Sequence, residues 1–463
     1  MFYGRDAELS KLNEMYGSGR FEFAVIYGRR RVGKTTLIRE FIRNKKFLFF
    51  AANESTAADN LLSLSRCIGG SHAAPVYSDY ESALAAVFSA AENERLVFVV
   101  DEFPYLAEAY RGVSSILQIL IDHNRDRSKL MVILCGSSMS FMENQVLGYQ
   151  SPLYGRRTAQ FKILPFTFFE SLPFYQNFGN EDKALLYGAT GGVPEYLNKI
   201  NPQKTVRDNV TDLFLTPSGH FFEEPSNLIK QELREPSTYN AIIEAIAGGA
   251  SRLNEIATKC KIEGNKCAKY LSSLMALGLV SREYPYGETM SKRSIYRIED
   301  NMFRFWYRFV FPNMSAILSG LGNAVYENIV RNQLNAYMGL VFEDICKQWL
   351  FAQARRAGDE NAAPFFVGSA GRWWGANPAT RKQEEIDIMA AHGDMALFAE
   401  CKWKSDVGPN VLYELKRKSG MFHYGTTHFF IFAKRFSVKN WKEKFTSDQV
   451  KIFSLDELIQ TGR

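Results

Sequence analysis

The chain has few cysteines and no ordered arrangement of them. Its six cysteines, among 463 residues, form no CxxC pair, and no histidines stand at zinc-finger spacing. That pattern argues against a disulfide framework and a structural zinc site, and reads as a reduced, cytoplasmic protein. Long apolar runs are also missing, so no membrane partner is expected. The N-terminal stretch MFYGRDAELS lacks the basic segment and apolar core of a signal peptide. Short-period repeats and low-complexity tracts are absent as well. Charge of one sign is scarce: the net charge of +6 permits contact with nucleic acid without demanding it. What is present is apolar bulk, at 46% of residues with 14% aromatic, enough for sizeable cores in roughly two to four domains.

From residue 1 to 165, short apolar strands alternate with helical stretches: FEFAVIYG, KFLFFAA, RLVFVVDE, LMVILCGSS, QFKILPF. Strands of this kind, separated by helices, predict an α/β fold with a parallel sheet. GRRRVGKTT, from Gly28 to Thr36, follows the first of them and precedes the helical stretch TLIREFI. This is the strand–loop–helix setting of a phosphate-binding loop. Gly28 and Gly33 let the backbone curl, so that the N–H groups of Arg29, Arg30, Arg31 and Val32 face phosphate. Lys34 is placed to reach the β- and γ-phosphates of ATP, and Thr35 to ligate Mg²⁺, with Thr36 beside it. RLVFVVDE ends in Asp101, expected to hold Mg²⁺ through water, and Glu102, expected to polarise the attacking water. LMVILCGSS ends in Gly136, Ser137 and Ser138. A hydroxyl there is placed to bond the lytic water or the γ-phosphate, and Ser137 is the candidate. Arg156 and Arg157 precede the next strand. One of them is expected to stabilise transition-state charge, in cis or from a neighbouring subunit.

These segments, with FYGRDAEL before them and GGVPEYL after, occur in an order that resembles the archaeal-type ATPase family, within the STAND division of AAA+-related P-loop NTPases. The resemblance covers residue 1 to about 200. It implies that Phe2, Tyr3, Gly4 and Arg5 lie on the base side of the nucleotide. It also implies that Gly192, Val193 and Pro194 belong to a helical lid over 166–235 that senses nucleotide state. Members of that family are thought to act as ATP-gated switches, with ATP and ADP as their ligands.

Residues 236–300 read as three helices and a two-stranded hairpin, a winged helix-turn-helix pattern. Its recognition helix would expose Asn265, Lys266 and Lys269, and its wing Lys292 and Arg293. These cations suit phosphates, although winged helices also serve as packing modules. An aromatic connector spans 301–333. The last block, 334–463, returns to alternating α and β.

Two of its strands carry charge where apolar residues are expected. In LFAECKW, Glu400 and Lys402 share one face, and in the preceding EIDIMAA, Asp387 has Ile386 and Ile388 on its opposite face. A hairpin through HGDM would bring Asp387 beside Glu400. Two converging carboxylates are costly unless a cation lies between them, and Mg²⁺ or Mn²⁺ fits oxygen ligands. The arrangement resembles the PD-(D/E)xK nuclease superfamily. The match implies metal ligation by Asp387 and Glu400, water activation by Lys402, and a further acidic ligand from the helix GLVFEDICKQWL, best matched by Glu343. Glu385, on the same face as Asp387, is a further candidate. The C-terminal block with GRWWG also resembles the uncharacterised domain that usually follows this ATPase.

The favoured reading is therefore an ATP-hydrolysing switch joined to a nuclease-like effector, acting on DNA or RNA, with self-association left open. The alternative is a nucleotide-regulated DNA-binding or signalling protein whose nuclease-like domain is inactive.

Overall fold

The computed structural model describes residues 2–70, 76–355, 363–378, 380–436 and 439–462, and the side chains of Lys439 and Asn440 are outside that description. Two compact units result: residues 1–165 with 193–195, and 166–192 with 196–463. The Gly-x-Pro element expected in the lid is thus divided. Val193 and Pro194 pack with the phosphate-loop unit, and Gly192 with the other. The segments read as lid, winged helix, connector and last block share the second unit.

In the first unit, strands β1 (Glu22–Tyr27), β2 (Phe47–Ala51), β3 (Leu96–Asp101), β4 (Leu130–Gly136) and β5 (Ala159–Lys162) form one sheet in the order β2-β3-β4-β1-β5. Every pairing in it is parallel. The three central strands β1, β3 and β4 are buried along their whole length, as interior parallel strands covered on both faces must be. Their alternate side chains feed two cores. Val25, Phe98 and Val132 face one, while Ala24, Ile26, Val97 and Ile133 face the other with Leu37, Ile38 and Phe41 of helix α1 (Lys34–Ile42).

In the second unit, helices α2 (Pro236–Ala247), α3 (Leu253–Cys260) and α4 (Gly264–Ala276) precede a hairpin of β6 (Val280–Glu283) and β7 (Ile295–Ile298), paired antiparallel. After a run of short helical segments over 301–330 comes α5 (Arg331–Ala354), 24 residues long. Strands β8 (Gly371–Ala376), β9 (Gln383–His392), β10 (Met395–Lys402), β11 (Thr426–Ala433) and β12 (Val450–Ser454) form the second sheet in sequential order, and α6 (Asn410–Ser419) links β10 to β11. The β8-β9-β10 half is antiparallel and the β10-β11-β12 half is parallel, so the sheet is mixed.

Helix α5 packs on one face of this sheet. Trp349 is fully buried, with its ring 4.5 Å from Phe453 and 5.6 Å from Phe432. Its indole N–H donates to Thr461 Oγ1 at 2.8 Å, which satisfies the one polar atom that burial would otherwise strand. Leu412 and Leu415 of α6 pack with Phe398, Phe429 and Ile431 in a separate core cluster. All six cysteines are free thiols, and no helix among the described residues is long and apolar enough to cross a membrane.

Candidate functional site: a phosphate loop and a charged strand pair

The loop between β1 and α1 is a tight backbone turn. Gly33 has φ +90°, and Arg31 has φ +71°. A side chain at Gly28 would place its Cβ 2.3 Å from the Ile163 carbonyl oxygen, so only glycine fits there. Arg29 and Val32 are buried and Thr36 is exposed. Arg30 donates to the Tyr105 hydroxyl at 2.8 Å, and Arg31 lies 3.9 Å from the Glu195 carboxylate. The Lys34 ammonium turns back on the loop and donates to the carbonyls of Gly28 at 2.8 Å and Arg29 at 3.0 Å. A lysine folded onto its own loop holds a position that a phosphate would draw it from. The Pro194 ring lies 3.6 Å from the position a Cβ would take on Gly33.

Two carboxylates end β3. Thr35 Oγ1 donates to Asp101 Oδ2 at 3.0 Å. A hydroxyl and a carboxylate at that separation suit the oxygen-ligand chemistry of Mg²⁺. Glu102 takes a left-handed backbone, φ 52°. Its Oε2 accepts from both the Ser137 N–H, at 3.1 Å, and the Ser137 hydroxyl, at 2.9 Å. The sheet order explains the meeting: β4 lies between β1 and β3, so Ser137 at its end comes beside the carboxylates. Arg5 donates to the Val32 carbonyl at 3.3 Å and also to the Leu164 carbonyl, which ties the N-terminal segment to the loop. Tyr3 is partly buried two residues before it.

Arg156 and Arg157 are placed differently from the expectation. They precede β5, whose parallel register pairs Ala159 with Ala24 and Lys162 with Tyr27. They therefore start from the N-terminal edge of the sheet, opposite the phosphate loop. Arg156 is engaged there in a two-pronged pair with Asp122, at 2.8 and 2.5 Å. A role for Arg156 in cis is thus corrected. Strand register, which the sequence does not display, set the outcome.

On the second sheet, β9 and β10 form a hairpin through Gly393 and Asp394, with His392 opposite Met395 and Ile388 opposite Ala399. Asp387 and Glu400 come next in this register. The Asp387 carboxylate accepts the Cys401 N–H at 2.8 Å. The Lys402 ammonium donates to Glu400 at 2.5 Å and lies 4.0 Å from Asp387, so a cation does stand between the two carboxylates. A second one was not foreseen: Lys418 of α6 donates to the other Glu400 oxygen at 3.2 Å. Among the described residues, no three His, Cys, Asp or Glu side chains stand ready as a metal cluster. Asp387 and Glu400 are two oxygen-donor groups of the kind divalent cations take, and lysine ammonium holds their charge here.

Glu343, on α5, lies 3.5 Å from Arg372, and Arg372 also pairs with Glu385 at 2.6 Å. Burial, and then the Asp387 charge, push the Glu343 carboxyl up to about 8. Burial and the nearby Glu400 raise Asp387 to about 6. Burial works against the Lys402 charge, but Glu400 and Asp387 outweigh it and hold the ammonium's pKa above its ordinary value. Carboxyls raised in this way favour a proton or a metal over bare charge.

Strict alternation along β9 fails at this point. Gly371 pairs with Met389, but Trp373 pairs with Ile386, so β9 holds one extra residue between Ile386 and Met389. Ile386 accordingly joins Met389 in the α6-side core instead of sharing a face with Ile388. Such a bulge re-aims the side chains around it, here Asp387.

The hairpin after α4 also departs from the expectation. Asn265, Lys266, Lys269 and Lys292 are exposed. Arg293 instead pairs with Glu288 and donates to the Trp374 carbonyl at 3.3 Å. In return the Trp374 indole donates to the Arg293 carbonyl at 3.3 Å, and the Tyr286 N–H donates to the Arg372 carbonyl at 2.8 Å. The hairpin tip thus covers β8, the edge strand of the second sheet. Covering an edge removes unpaired backbone groups from solvent, while Arg293 keeps 46% of its side chain exposed.

Comparison with known proteins gives these features a family. Residues 2–200 match the model of an ATPase domain predominantly from Archaea. Residues 306–418 match a family described as Archaea bacterial proteins of unknown function. The chain is 35% identical over 411 residues to uncharacterized protein MJECL04 of Methanocaldococcus jannaschii, covering 87% of this chain and 88% of that protein. It is also 46% identical over 46 residues to uncharacterized ATP-binding protein MJ0423 of the same organism, covering 10% of this chain and 78% of that one. Among solved structures, the Walker-type ATPase PABY2304 of Pyrococcus abyssi matches with a TM-score of 0.49 and 18% identity, over 66% of this chain and 96% of that one. The chain belongs to the family it shares with the Methanocaldococcus protein, and its residues 2–200 match an ATPase domain predominantly from Archaea.

Proposed function

We propose that the chain is an ATP-hydrolysing switch that governs a metal-dependent phosphodiesterase site on its second sheet. The observation that carries this reading is the meeting of Lys34, Thr35, Asp101, Glu102 and Ser137 around one loop. Lys34 leaves the loop carbonyls for the β- and γ-phosphates of ATP. Thr35 and Asp101 hold Mg²⁺, which supplies charge neutralisation on the phosphates. Glu102 orients the attacking water, and the Ser137 hydroxyl holds Glu102 until nucleotide arrives. Tyr3 and Arg5 flank the base, and Pro194 reports on the loop through its contact at Gly33. Arg157 remains a candidate for acting on a neighbouring subunit.

At the second sheet, Asp387 and Glu400, with Glu343 behind them, would hold Mg²⁺ or Mn²⁺, which would supply the activated water, and the Lys402 ammonium would orient that water towards a phosphodiester of DNA or RNA. Labelled DNA and RNA strands incubated with Mn²⁺ test this half. Cleavage by the wild type, lowered by about 10²-fold or more in Lys402→Ala, is the expected result. The docked hairpin and the two lysines on Glu400 favour a second reading, an inert nuclease-like domain used for assembly. Intact strands of both kinds, in every metal, would select it.

A further inference from the structure

Glu400 is almost fully buried, yet each of its oxygens carries an ammonium. Lys402 holds Oε1 at 2.5 Å, and Lys418 holds Oε2 at 3.2 Å. The two lysines are held differently. Lys402 stands on β10 itself, two residues from Glu400, with its ammonium between Glu400 and Asp387. Lys418 reaches in from the last turn of α6, on a long flexible stem, with its side chain 17% exposed. Exposed Lys416 and Arg417 precede it on the same turn, with Arg417 paired to Glu384 at 2.7 Å and to Glu414 at 2.9 Å.

Two ammoniums and a divalent cation on one carboxylate repel one another, so the weakest-held of them is destabilised. Binding of a divalent cation by Asp387 and Glu400 adds two positive charges within a few ångströms of both lysines. Lys402 is anchored between the carboxylates and stays. Lys418 holds one carboxylate at 3.2 Å from a separate helix, whereas Lys402 lies 2.5 Å from Glu400 with Asp387 also beside it, so Lys418 is the one able to leave although Lys402 is the more exposed side chain, 33% against 17%. The anion that recovers its charge is the one delivered to such a site, a nucleic-acid phosphate.

We propose that Lys418 is a substrate-positioning residue, parked on Glu400 in the metal-free protein and transferred to a phosphate of the nucleic-acid backbone when the carboxylates bind a divalent cation. The inference rests on the phosphodiesterase reading above.

The test uses the full wild-type chain, which keeps both lysines and both carboxylates, with a phosphorothioate-linked duplex that slows cleavage. Binding of a short fluorescein-labelled DNA duplex is measured with Mn²⁺ across a salt series, and Mn²⁺ binding is measured separately without DNA. Lys418→Ala is expected to weaken duplex binding about 3- to 10-fold and to lower the salt slope by about one. The same substitution should tighten Mn²⁺ binding about threefold or more, because one competing ammonium is gone. Lys418→Arg should retain duplex binding. Unchanged duplex affinity and slope, or weakened Mn²⁺ binding, would make Lys418 merely a structural partner of Glu400 and overturn the inference alone. A wild type that neither binds nor cleaves nucleic acid would overturn the phosphodiesterase reading, and the inference with it.

Discussion

Glu102→Gln is expected to bind ATP as the wild type does and to turn it over about 10²- to 10⁴-fold more slowly. The geometry sets this asymmetry. The Glu102 carboxylate accepts from the Ser137 N–H and hydroxyl. Glutamine preserves size and can still accept from Ser137, so the fold and the nucleotide cradle are retained. What is lost is the charge that orients and polarises water. Lys34→Ala should behave differently, because its ammonium already lies among the loop carbonyls that surround the phosphates. Loss of nucleotide binding itself is expected there. A fluorescent-nucleotide titration beside phosphate release separates the two variants. Equal turnover by Glu102→Gln and wild type would remove Glu102 from the chemistry.

Asp344→Ala is expected to cost about 3 kcal/mol of stability, the lower end of what breaking a buried ion pair costs. Asp344 lies on α5 beside Glu343. It receives Arg297 from β7 and Arg304, the latter at 3.3 Å. Removing the carboxylate leaves Arg304 bonded to the Ile298 carbonyl among the described residues, while Arg297 keeps Glu283 at 2.9 Å, which moderates the loss. Burial pushes the Asp344 carboxyl up, but the two guanidiniums outweigh it and hold the group at about 2. A depressed carboxyl contributes stability above its ordinary value of 3.8 and loses it as pH falls towards about 2. Thermal unfolding of the wild type should therefore weaken across that window more steeply than that of Asp344→Ala. Parallel pH profiles for the two would contradict the pairing.

The parts of the sites that were legible in the sequence are those where chemistry and local backbone coincide. Gly28, Gly33, Lys34 and Thr35 lie within one turn, so their spacing alone locates them. Asp101, Glu102 and Ser137 each end an apolar run, and parallel strands gather their C-terminal ends at one edge. The Asp387–Glu400 meeting followed from a short hairpin and a two-residue period. What escaped depends on tertiary register. Arg156 and Arg157 read as neighbours of the phosphate site until β5 is set in register, which puts them at its other end. The bulge between Ile386 and Met389 breaks an alternation that the sequence presents as regular. Lys418 follows Glu400 by a strand end and a helix, and only the packing of Leu412 and Leu415 under α6 turns it inward. Its position three residues after Leu415 was the available signal, and it is weak, because most such lysines lie in solvent. The hairpin tip shows the same limit. Arg293 reads as a cation for phosphates, and its bonds to Trp374 and Glu288, made while 46% of its side chain stays exposed, were not in that reading.

Nucleotide control of the second sheet is the central claim, and one measurement addresses it directly. Cleavage of labelled nucleic acid with Mn²⁺ is timed for Glu102→Gln held in its ATP-bound state and for the same variant loaded with ADP. A ligand shifts a conformational equilibrium only through different affinities for its two states, so a real switch must show two rates. Rates that differ by about fivefold or more, corresponding to about 1 kcal/mol of coupling, are the expected result. Identical rates with ATP and ADP, in a protein that binds both, would contradict it.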